Sequence, residues 1–202
     1  KNASVLLFCE NVTRFFPNAT IMCVVFQGKT KYKILDSKEF SYDLYLNYEN
    51  AMQYIISKLN TEYIIRGGPR EEVLEIPEDA LREALLNAIA HRDYFVNGHV
   101  QVNIFLDRIE IINPGGLVKG LSLEDLGRIS MPRNHLLFSL MQRMDLVEKA
   151  GTGIMRIRES MRKYRLEPPI IEPYETWFSI SFIRPNLQTE SYEQRMANVP
   201  EN

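Results

Sequence analysis

The stretch from Ala80 to Tyr94 constrains the fold of this chain more than any other, because it predicts one long helix. Pro77 suits the first turn of a helix, and Glu78 and Asp79 would lie beside the positive end of its dipole. At 100° per residue, four apolar positions fall on one stripe. They are Leu81, Leu85, Ala88 and Ile89. A helix with such a stripe needs an apolar layer to pack against.

The opposite side of this helix carries Glu83 and Asn87, one turn apart, together with Ala90 and Tyr94. A carboxylate and an amide at positions i and i+4 can share one ligand, such as a hydrated metal ion and the phosphates that it binds. The alternative is a polar face that is only solvated, and on spacing alone that alternative is the more common one. Both interpretations stay open at this point.

The composition of the 202-residue chain is that of an ordinary soluble globular protein. The net charge of −2 gives no global electrostatic argument for binding nucleic acid or an anionic membrane. No apolar run is long enough to span a membrane. Cys9 and Cys23 lie in apolar runs, which predicts buried thiols in the reducing cytoplasm. Because the chain begins at Lys1 and not at a methionine, we expect that an N-terminal part is missing.

Ahead of the long helix, the pattern predicts three short strands and one further helix. The strands are Ser4–Cys9, Ile21–Gln27 and Lys31–Leu35, and the helix is Asn47–Leu59, capped by Asn50 or Asn47. Gly67, Gly68 and Pro69 then break the pattern, so a domain boundary is expected near them.

Behind the long helix, the pattern predicts strands and helices in mixed order. The predicted strands are Val100–Leu106, Ile109–Ile112, Ile170–Ile171 and Trp177–Ile183. The predicted helices start at Ser122, as an N-cap, and span Arg133–Met144 and Ile154–Tyr164. This order predicts an α+β protein with a mostly antiparallel sheet and helices on one face, which is a two-layer α/β sandwich.

Two glycine motifs follow the long helix. Asn113-Pro114-Gly115-Gly116 comes after a strand, where a glycine pair lets the backbone approach a planar ligand. Gly151-Thr152-Gly153-Ile154 opens a helix, where free amides and the helix dipole favour phosphate. On the helix before them, Glu83 could act as a general base for water and Asn87 as a Mg²⁺ ligand. Each motif alone is more often an ordinary turn, but three such features in this order are harder to explain that way.

This order resembles the N, G1 and G2 boxes of the GHKL (Bergerat-fold) ATPases. In detail the chain is similar to a narrower family of predicted bacterial and archaeal transcriptional regulators, often labelled RecG-like helicase C-terminal, in which a Schlafen AlbA-type domain precedes a GHKL-like one. The motifs that carry the resemblance are Leu81–Ala88 with His91-Arg92-Asp93-Tyr94, Ile109-Glu110-Ile111 with Asn113–Gly116, Met131-Pro132-Arg133-Asn134, and Glu148 with Gly151–Ile154. Upstream, Asn2–Phe8 and Arg14–Ala19 resemble the last third of the AlbA-type domain.

The resemblance implies that ATP and Mg²⁺ are the cofactors. Glu83 matches the acid that activates water, and Asn87 matches the amide that coordinates Mg²⁺. The other implied positions are Gly115 and Gly116 beside adenine, Gly151, Thr152 and Gly153 beside the phosphates, and Thr176 as a reader of adenine. The G1 box normally opens with an aspartate that binds the adenine amino group. Here Asn113 stands in its place, and it can accept that hydrogen bond only without charge assistance.

Two further candidates come from the residues themselves. His91, near the end of the long helix, either fixes that helix end or lines the same pocket. Arg133, with Asn134 beside it at the start of a helix, either approaches a phosphate or takes part in capping. A basic helix follows, whose cations are Arg156, Arg158, Arg162, Lys163 and Arg165. It could touch nucleic acid, although a solvated helix face is the more common explanation.

Other short patterns indicate less. His91-Arg92-Asp93 is similar to a protein-kinase catalytic loop, but Asn97 follows one residue too early. Gly28-Lys29-Thr30 ends like a Walker A loop, but Cys23 stands where its first glycine should be. The histidines and cysteines do not have the spacing of a metal site.

The resemblance also implies a domain organisation. Residues 1–62 would be the end of the AlbA-type domain with a linker helix, residues 63–185 the GHKL-like nucleotide-binding domain, and the polar residues 186–202 a disordered tail. The implied protein is a cytoplasmic, DNA-linked transcriptional regulator that binds ATP and could hydrolyse it.

Two alternatives stay open. One is a non-enzymatic regulator that uses a degenerate GHKL fold for dimerisation, and the other is an ATP-driven nucleic-acid remodeller. DNA contact is expected through the full-length protein and is expected to be weak for this segment. A homodimer is a further candidate interaction, and no membrane partner is expected.

Overall fold

The computed structural model describes residues 2–64, 70–148, 151–186 and 191–197. The helices are α1 (Asn2–Phe8), α2 (Leu44–Ser57), α3 (Glu78–His91), α4 (His135–Arg143), α5 (Gly153–Lys163) and α6 (Tyr192–Ala197). The strands are β1 (Ile21–Phe26), β2 (Ile34–Phe40), β3 (Thr61–Ile64), β4 (Glu71–Leu74), β5 (Val100–Ile104), β6 (Arg108–Pro114), β7 (Ile170–Pro173) and β8 (Trp177–Ile183).

Six of these strands form one sheet in the order β2-β1-β5-β6-β8-β7, and β3 and β4 form a separate hairpin. In the large sheet, β1 and β5 are parallel and every other neighbouring pair is antiparallel. The register places one apolar row across five strands. The row consists of Cys23, Val102, Ile111, Ile180 and Ile171. Because side chains alternate along a strand, this row marks the face on which the helices pack.

Helices α2 and α3 cover that face, α2 against β1 and β2 and α3 against β6. The predicted stripe of α3 is buried as expected, since each of its four residues is at most 7% exposed. Helix α5 packs on α3 and buries Ile157 and Met161. The predicted α+β two-layer sandwich of GHKL type is therefore confirmed, and its core lies between the sheet and α2 and α3.

Near the N-terminus, two strand predictions were wrong or displaced. Residues 4–9 were predicted as a strand, but Asn2–Phe8 is helix α1. Its Ala3, Leu6 and Leu7 have helical spacing and are all buried, so an apolar run that looked like a strand packs as a helix face. Strand β2 begins at Ile34, later than the predicted Lys31, because Gln27 donates to the Lys33 carbonyl and closes the turn there.

The helix ends also differ from the predictions. Helix α2 starts at Leu44, capped by the Asp43 carboxylate, which accepts a hydrogen bond from the Leu46 amide at 3.0 Å. Asn47, one of the predicted caps, is instead fully buried and donates to the Ala19 carbonyl at 3.1 Å. Helix α3 stops at His91, three residues before Tyr94. The helix predicted after Ser122 is a single 3₁₀ turn.

The chain ends add two observations on organisation. Strands β1 and β2, from residues before position 63, belong to the same sheet as β5 to β8, while the boundary at residue 62 stays a prediction. The tail was predicted to be disordered from residue 186, but α6 forms within it and the Tyr192 amide donates to the Glu62 carboxylate at 2.8 Å. Among the residues that the structure describes, no helix has the length and apolar character needed to cross a membrane.

Candidate functional site

A cavity opens between α3, the loop after β6 and the start of α5. Nearly all the residues predicted from the sequence line it: Glu83, Asn87 and His91 from α3, Asn113, Gly115 and Gly116 after β6, Arg133 before α4, and Gly151 and Gly153 at α5. Thr152 and Thr176 do not line it. The roles assigned to all these residues from the sequence stay predictions.

Helix α3 presents its acid and its amide to the cavity side by side. The Asn87 Nδ2 donates to Glu83 Oε1 at 3.1 Å, as the i, i+4 spacing allows. The Glu83 side chain is only 12% exposed. Since the Asn87 nitrogen faces Glu83, the amide oxygen is the Asn87 atom left for a cation.

Glu83 also forms an ion pair that the sequence analysis did not foresee. Arg156 Nη2 donates to Glu83 Oε2 at 2.8 Å, and Arg156 Nη1 pairs with Glu148. Both oxygens of Glu83 are thus engaged, one by Asn87 and one by Arg156. Arg156 lies one turn into α5, the predicted basic helix. The sequence therefore indicated a cation near the second glycine motif, but it did not indicate that this cation pairs with Glu83, 73 residues away.

Asn113 lies at the end of β6, opposite Phe178 on β8. It is 3% exposed, and its Oδ1 has no hydrogen-bond partner in the described parts of the chain. A buried acceptor without a donor costs about 1–3 kcal/mol. Because Asn113 lines the cavity, a ligand with an N–H donor could satisfy this atom.

The glycine pair after Asn113 forms a tight turn. Gly115 has φ +106°, a conformation that side chains rarely adopt, and its amide donates to the Thr176 carbonyl at 2.8 Å. A Cβ at Gly116 would collide with the carbonyl oxygens of Tyr174 and Glu175. Thr176 therefore contributes its backbone to the turn beneath the site, while its exposed side chain does not line the cavity.

Arg133 acts as a clamp between two walls of the cavity. Its Nε donates to the His91 carbonyl at 3.1 Å, and its Nη2 donates to the Gly116 carbonyl at 2.7 Å. Its Nη1 lies 3.5 Å from the Asp93 carboxylate. These contacts of the Arg133 guanidinium hold the C-terminal end of α3 against the glycine turn after β6. The adjacent Asn134 donates hydrogen bonds from its Nδ2 to the Ala90 and Arg92 carbonyls at the C-terminal end of α3. Asn134 therefore caps α3, whereas capping was expected at the start of the following helix, α4.

The outer wall of the cavity is apolar, and the sequence analysis missed it. It is formed by the segment between the two glycine motifs, through Leu117, Val118, Leu121, Leu126, Ile129 and Met131. The recurrence of these apolar residues over a segment with little regular structure was the available signal. Such a wall suits a planar ligand and keeps water from its faces.

His91 lines the cavity as a neutral imidazole. Burial, and then the nearby Arg133 cation, lower the pKa of His91 from 6.5 to about 4. Its ring also packs edge-on against Phe138 at 6.2 Å between ring centroids. At neutral pH this side chain therefore offers one donor and one acceptor nitrogen and no charge.

The depressed pKa of His91 predicts a pH dependence of stability. Between about pH 6.5 and pH 4, His91 is protonated in the unfolded chain but stays neutral in the folded chain. Because the unfolded state then binds more protons, the free energy of unfolding decreases as pH falls through this window. At pH 4.5 the expected loss from this group is about 2–3 kcal/mol relative to pH 7. Urea unfolding of the parent and of His91→Gln at both pH values would measure it.

The His91→Gln variant should lose less stability on acidification than the parent does, by that amount. His135→Gln is the matched control, because His135 is exposed on the first turn of α4. Equal acid sensitivity in the parent and in His91→Gln would contradict the assignment of a neutral, largely buried His91.

No cluster of three or more histidine, cysteine or acidic side chains that could hold a metal ion occurs in the described ranges. A divalent cation at this site would therefore bind through Asn87, Glu83 and the oxygens of its own ligand. One feature of the cavity lining can be compared with the chemistry of an adenine nucleotide. The Asn113 oxygen has no hydrogen-bond partner among the described residues, and the adenine amino group would be a suitable donor for it.

Comparisons with known proteins support the fold. No curated protein matches the chain. A crystal structure of the DIP2311 protein from Corynebacterium diphtheriae matches 91% of this chain with 26% sequence identity and a TM-score of 0.77. This chain spans only 37% of that protein's length.

A family model matches residues 97–182, from the turn before β5 into β8. The family is HATPase_c_4, described as "Putative ATP-dependent DNA helicase recG C-terminal". The matched segment includes both glycine motifs but not α3, which carries Glu83 and Asn87. Residues 97–182 thus form an ATPase-like domain similar to the RecG C-terminal family.

Proposed function

We propose that the cavity binds an adenine nucleotide with Mg²⁺, and that the chain belongs to a DNA-linked transcriptional regulator. The observation that carries the nucleotide proposal is the buried Asn113 oxygen, which has no hydrogen-bond partner in the described parts of the chain and belongs to a residue that lines the cavity. The adenine amino group would supply a donor to this oxygen. The apolar wall and the backbone of Gly115 and Gly116, all of which line the cavity, suit the flat faces and edge of a base.

The phosphate side of the proposal rests on the start of α5. This helix has 11 residues and begins at Gly153, so its first amides and its dipole favour an anion. A Cβ at Gly153 would collide with Glu83 Oε1, and the missing side chain thus brings the helix start against the acid of α3. Asn87 would hold the Mg²⁺, which would neutralise phosphate charge when bound.

Hydrolysis is the less supported part of the proposal. A general base must accept a proton from water, but Glu83 already accepts hydrogen bonds from Asn87 and Arg156. This observation favours the alternative in which the site binds a nucleotide as a regulatory ligand without turning it over. Dimerisation through the degenerate fold remains part of that alternative.

The proposals on partners rest on similarity. The description of the matching family names a DNA helicase. The C. diphtheriae protein is longer than this chain, and its additional residues leave room for an AlbA-type domain that contacts DNA. The ATP-driven remodeller has less support, because Gly28 to Thr30 lies in the turn between the paired strands β1 and β2 and not between a strand and a helix. The proposal also keeps two predictions from the sequence, which are that the protein is cytoplasmic and that it forms a homodimer.

Calorimetric titration of the full chain with ATP and with ADP tests the nucleotide proposal. We expect both to bind with dissociation constants below 1 mM, roughly −4 kcal/mol or better, and to bind more weakly when Mg²⁺ is removed. Asn87→Ala should lose the Mg²⁺-dependent part. Glu83→Ala should lose any hydrolysis and, because the Glu83 carboxylate is also a proposed Mg²⁺ ligand, part of the Mg²⁺-dependent binding, while the binding without Mg²⁺ is kept. If neither nucleotide binds at millimolar concentration, the proposal is wrong.

A further inference from the structure

The ion pair between α3 and α5 places a protein cation at the point where a metal ion would be expected. Arg156 lies 2.8 Å from Glu83 through Nη2, and its Nη1 pairs with Glu148. The guanidinium is thus held between two carboxylates, one of which carries the hydrogen bond from Asn87. The arginine side chain is 34% exposed and Glu83 12% exposed, so the pair is partly shielded from water.

Two cations cannot share this position. A divalent ion that reaches the Glu83 carboxylate and the Asn87 oxygen would meet the guanidinium at a few ångströms, where like charges repel by several kcal/mol at an effective dielectric constant of about 20. The start of α5 is also tight against the acid, because Gly153 has no room for even a Cβ beside Glu83 and Asn87. Entry of the ion therefore requires Arg156 to leave Glu83.

We propose that Arg156 is the residue that sets the cation affinity of this site: it occupies the place of the divalent ion, and the ion binds only when the Arg156–Glu83 pair opens. The inference rests on the proposed function for its role, since the ion would accompany the nucleotide. Glu148 gives the departing guanidinium a second partner, because its side chain is 68% exposed at the cavity rim. Arg156 is thus a positioning residue that couples α5 to the state of the site.

Mn²⁺ alone is the probe, and its binding to the full chain is followed by electron paramagnetic resonance of the free ion. Arg156→Gln should bind Mn²⁺ at least about 10-fold more tightly than the parent, because a competing cation is removed. Arg156→Lys keeps the charge and should bind like the parent. The matched control is Arg158→Gln, which makes the same change of charge at an exposed position of the same helix. Circular dichroism of each variant verifies folding.

A second variant locates the effect. Glu83→Gln/Arg156→Gln should lose the gain, because the carboxylate that the ion would bind has been removed. An unchanged Mn²⁺ affinity in Arg156→Gln would overturn the inference, as would an equal gain in Arg158→Gln.

A titration with ATP runs in parallel on the parent and on Arg156→Gln. If Arg156→Gln binds Mn²⁺ more tightly than the parent but neither protein binds ATP, the proposed function is refuted while the role of Arg156 is supported. ATP binding without the gain in Mn²⁺ affinity would refute only the role of Arg156.

Discussion

Replacing Arg184 with methionine is expected to lower the free energy of unfolding by about 3–5 kcal/mol, because it leaves a buried carboxylate without its cation. Glu75 is 1% exposed and accepts from Arg184 Nε at 3.0 Å and from Nη2 at 2.7 Å. Arg184 Nη1 also donates to the Phe105 carbonyl at 2.6 Å. This group joins the β3–β4 hairpin to the end of β8, and none of its residues lines the cavity.

Urea denaturation followed by far-ultraviolet circular dichroism measures this loss. Arg162→Met is the matched control, since Arg162 forms an equally well-aligned pair with Glu159 on the surface of α5. Exposed pairs of this kind contribute little, so the control should unfold nearly like the parent. The double variant Glu75→Leu/Arg184→Met should recover part of the loss, because it removes the stranded charge. A loss in Arg184→Met no larger than in the control would contradict the account.

Replacing Asn113 with leucine is expected to weaken ATP binding by about 10- to 100-fold while leaving the protein at least as stable as before. The affinity falls because the ligand loses its buried hydrogen-bond acceptor, worth about 1–3 kcal/mol. The stability does not fall, because the change removes an unsatisfied acceptor from a site that is 3% exposed. Titration calorimetry and urea denaturation measure the two effects on the same samples.

Asn103→Leu is the control for this prediction. Asn103 is also buried, lies on the neighbouring strand β5 and donates to Glu110 rather than facing the cavity. Its replacement should leave ATP binding unchanged. Asn113→Asp adds a second test, because a carboxylate only accepts hydrogen bonds and should increase the preference for adenine over guanine. Equal ATP affinity in the parent and in Asn113→Leu would show that this atom does not contact the base.

The parts of the fold with strong periodicity were predictable. Helix α3 has a four-residue apolar stripe, and β8 consists of aromatic residues and isoleucines interrupted only by Ser179 and Ser181, so local pattern and tertiary burial agree. Helix α1 was mistaken for a strand because seven residues are too few to distinguish the two periodicities. Helix α6 was missed because polar composition indicated disorder, while the contact with Glu62 that holds it is more than 100 residues away.

The candidate site was predictable in its parts and not in its connections. The two glycine motifs and the Glu83–Asn87 spacing are local features, and the structure gathers them around one cavity. The Arg156–Glu83 pair and the clamp by Arg133 join positions far apart in the chain, so no spacing rule could show them. The position of Asn113 came from the resemblance to GHKL ATPases, whereas its lack of a partner became visible only in three dimensions.

A crystal structure of the full chain with ADP and Mg²⁺ would show directly whether the cavity binds the nucleotide. The proposed binding mode predicts that the adenine lies against the apolar wall with its amino group within hydrogen-bond distance of Asn113 Oδ1. It also predicts that the phosphates lie at the start of α5 and that Arg156 has moved away from Glu83. A base bound elsewhere, or no nucleotide in the cavity at millimolar ADP, would contradict it.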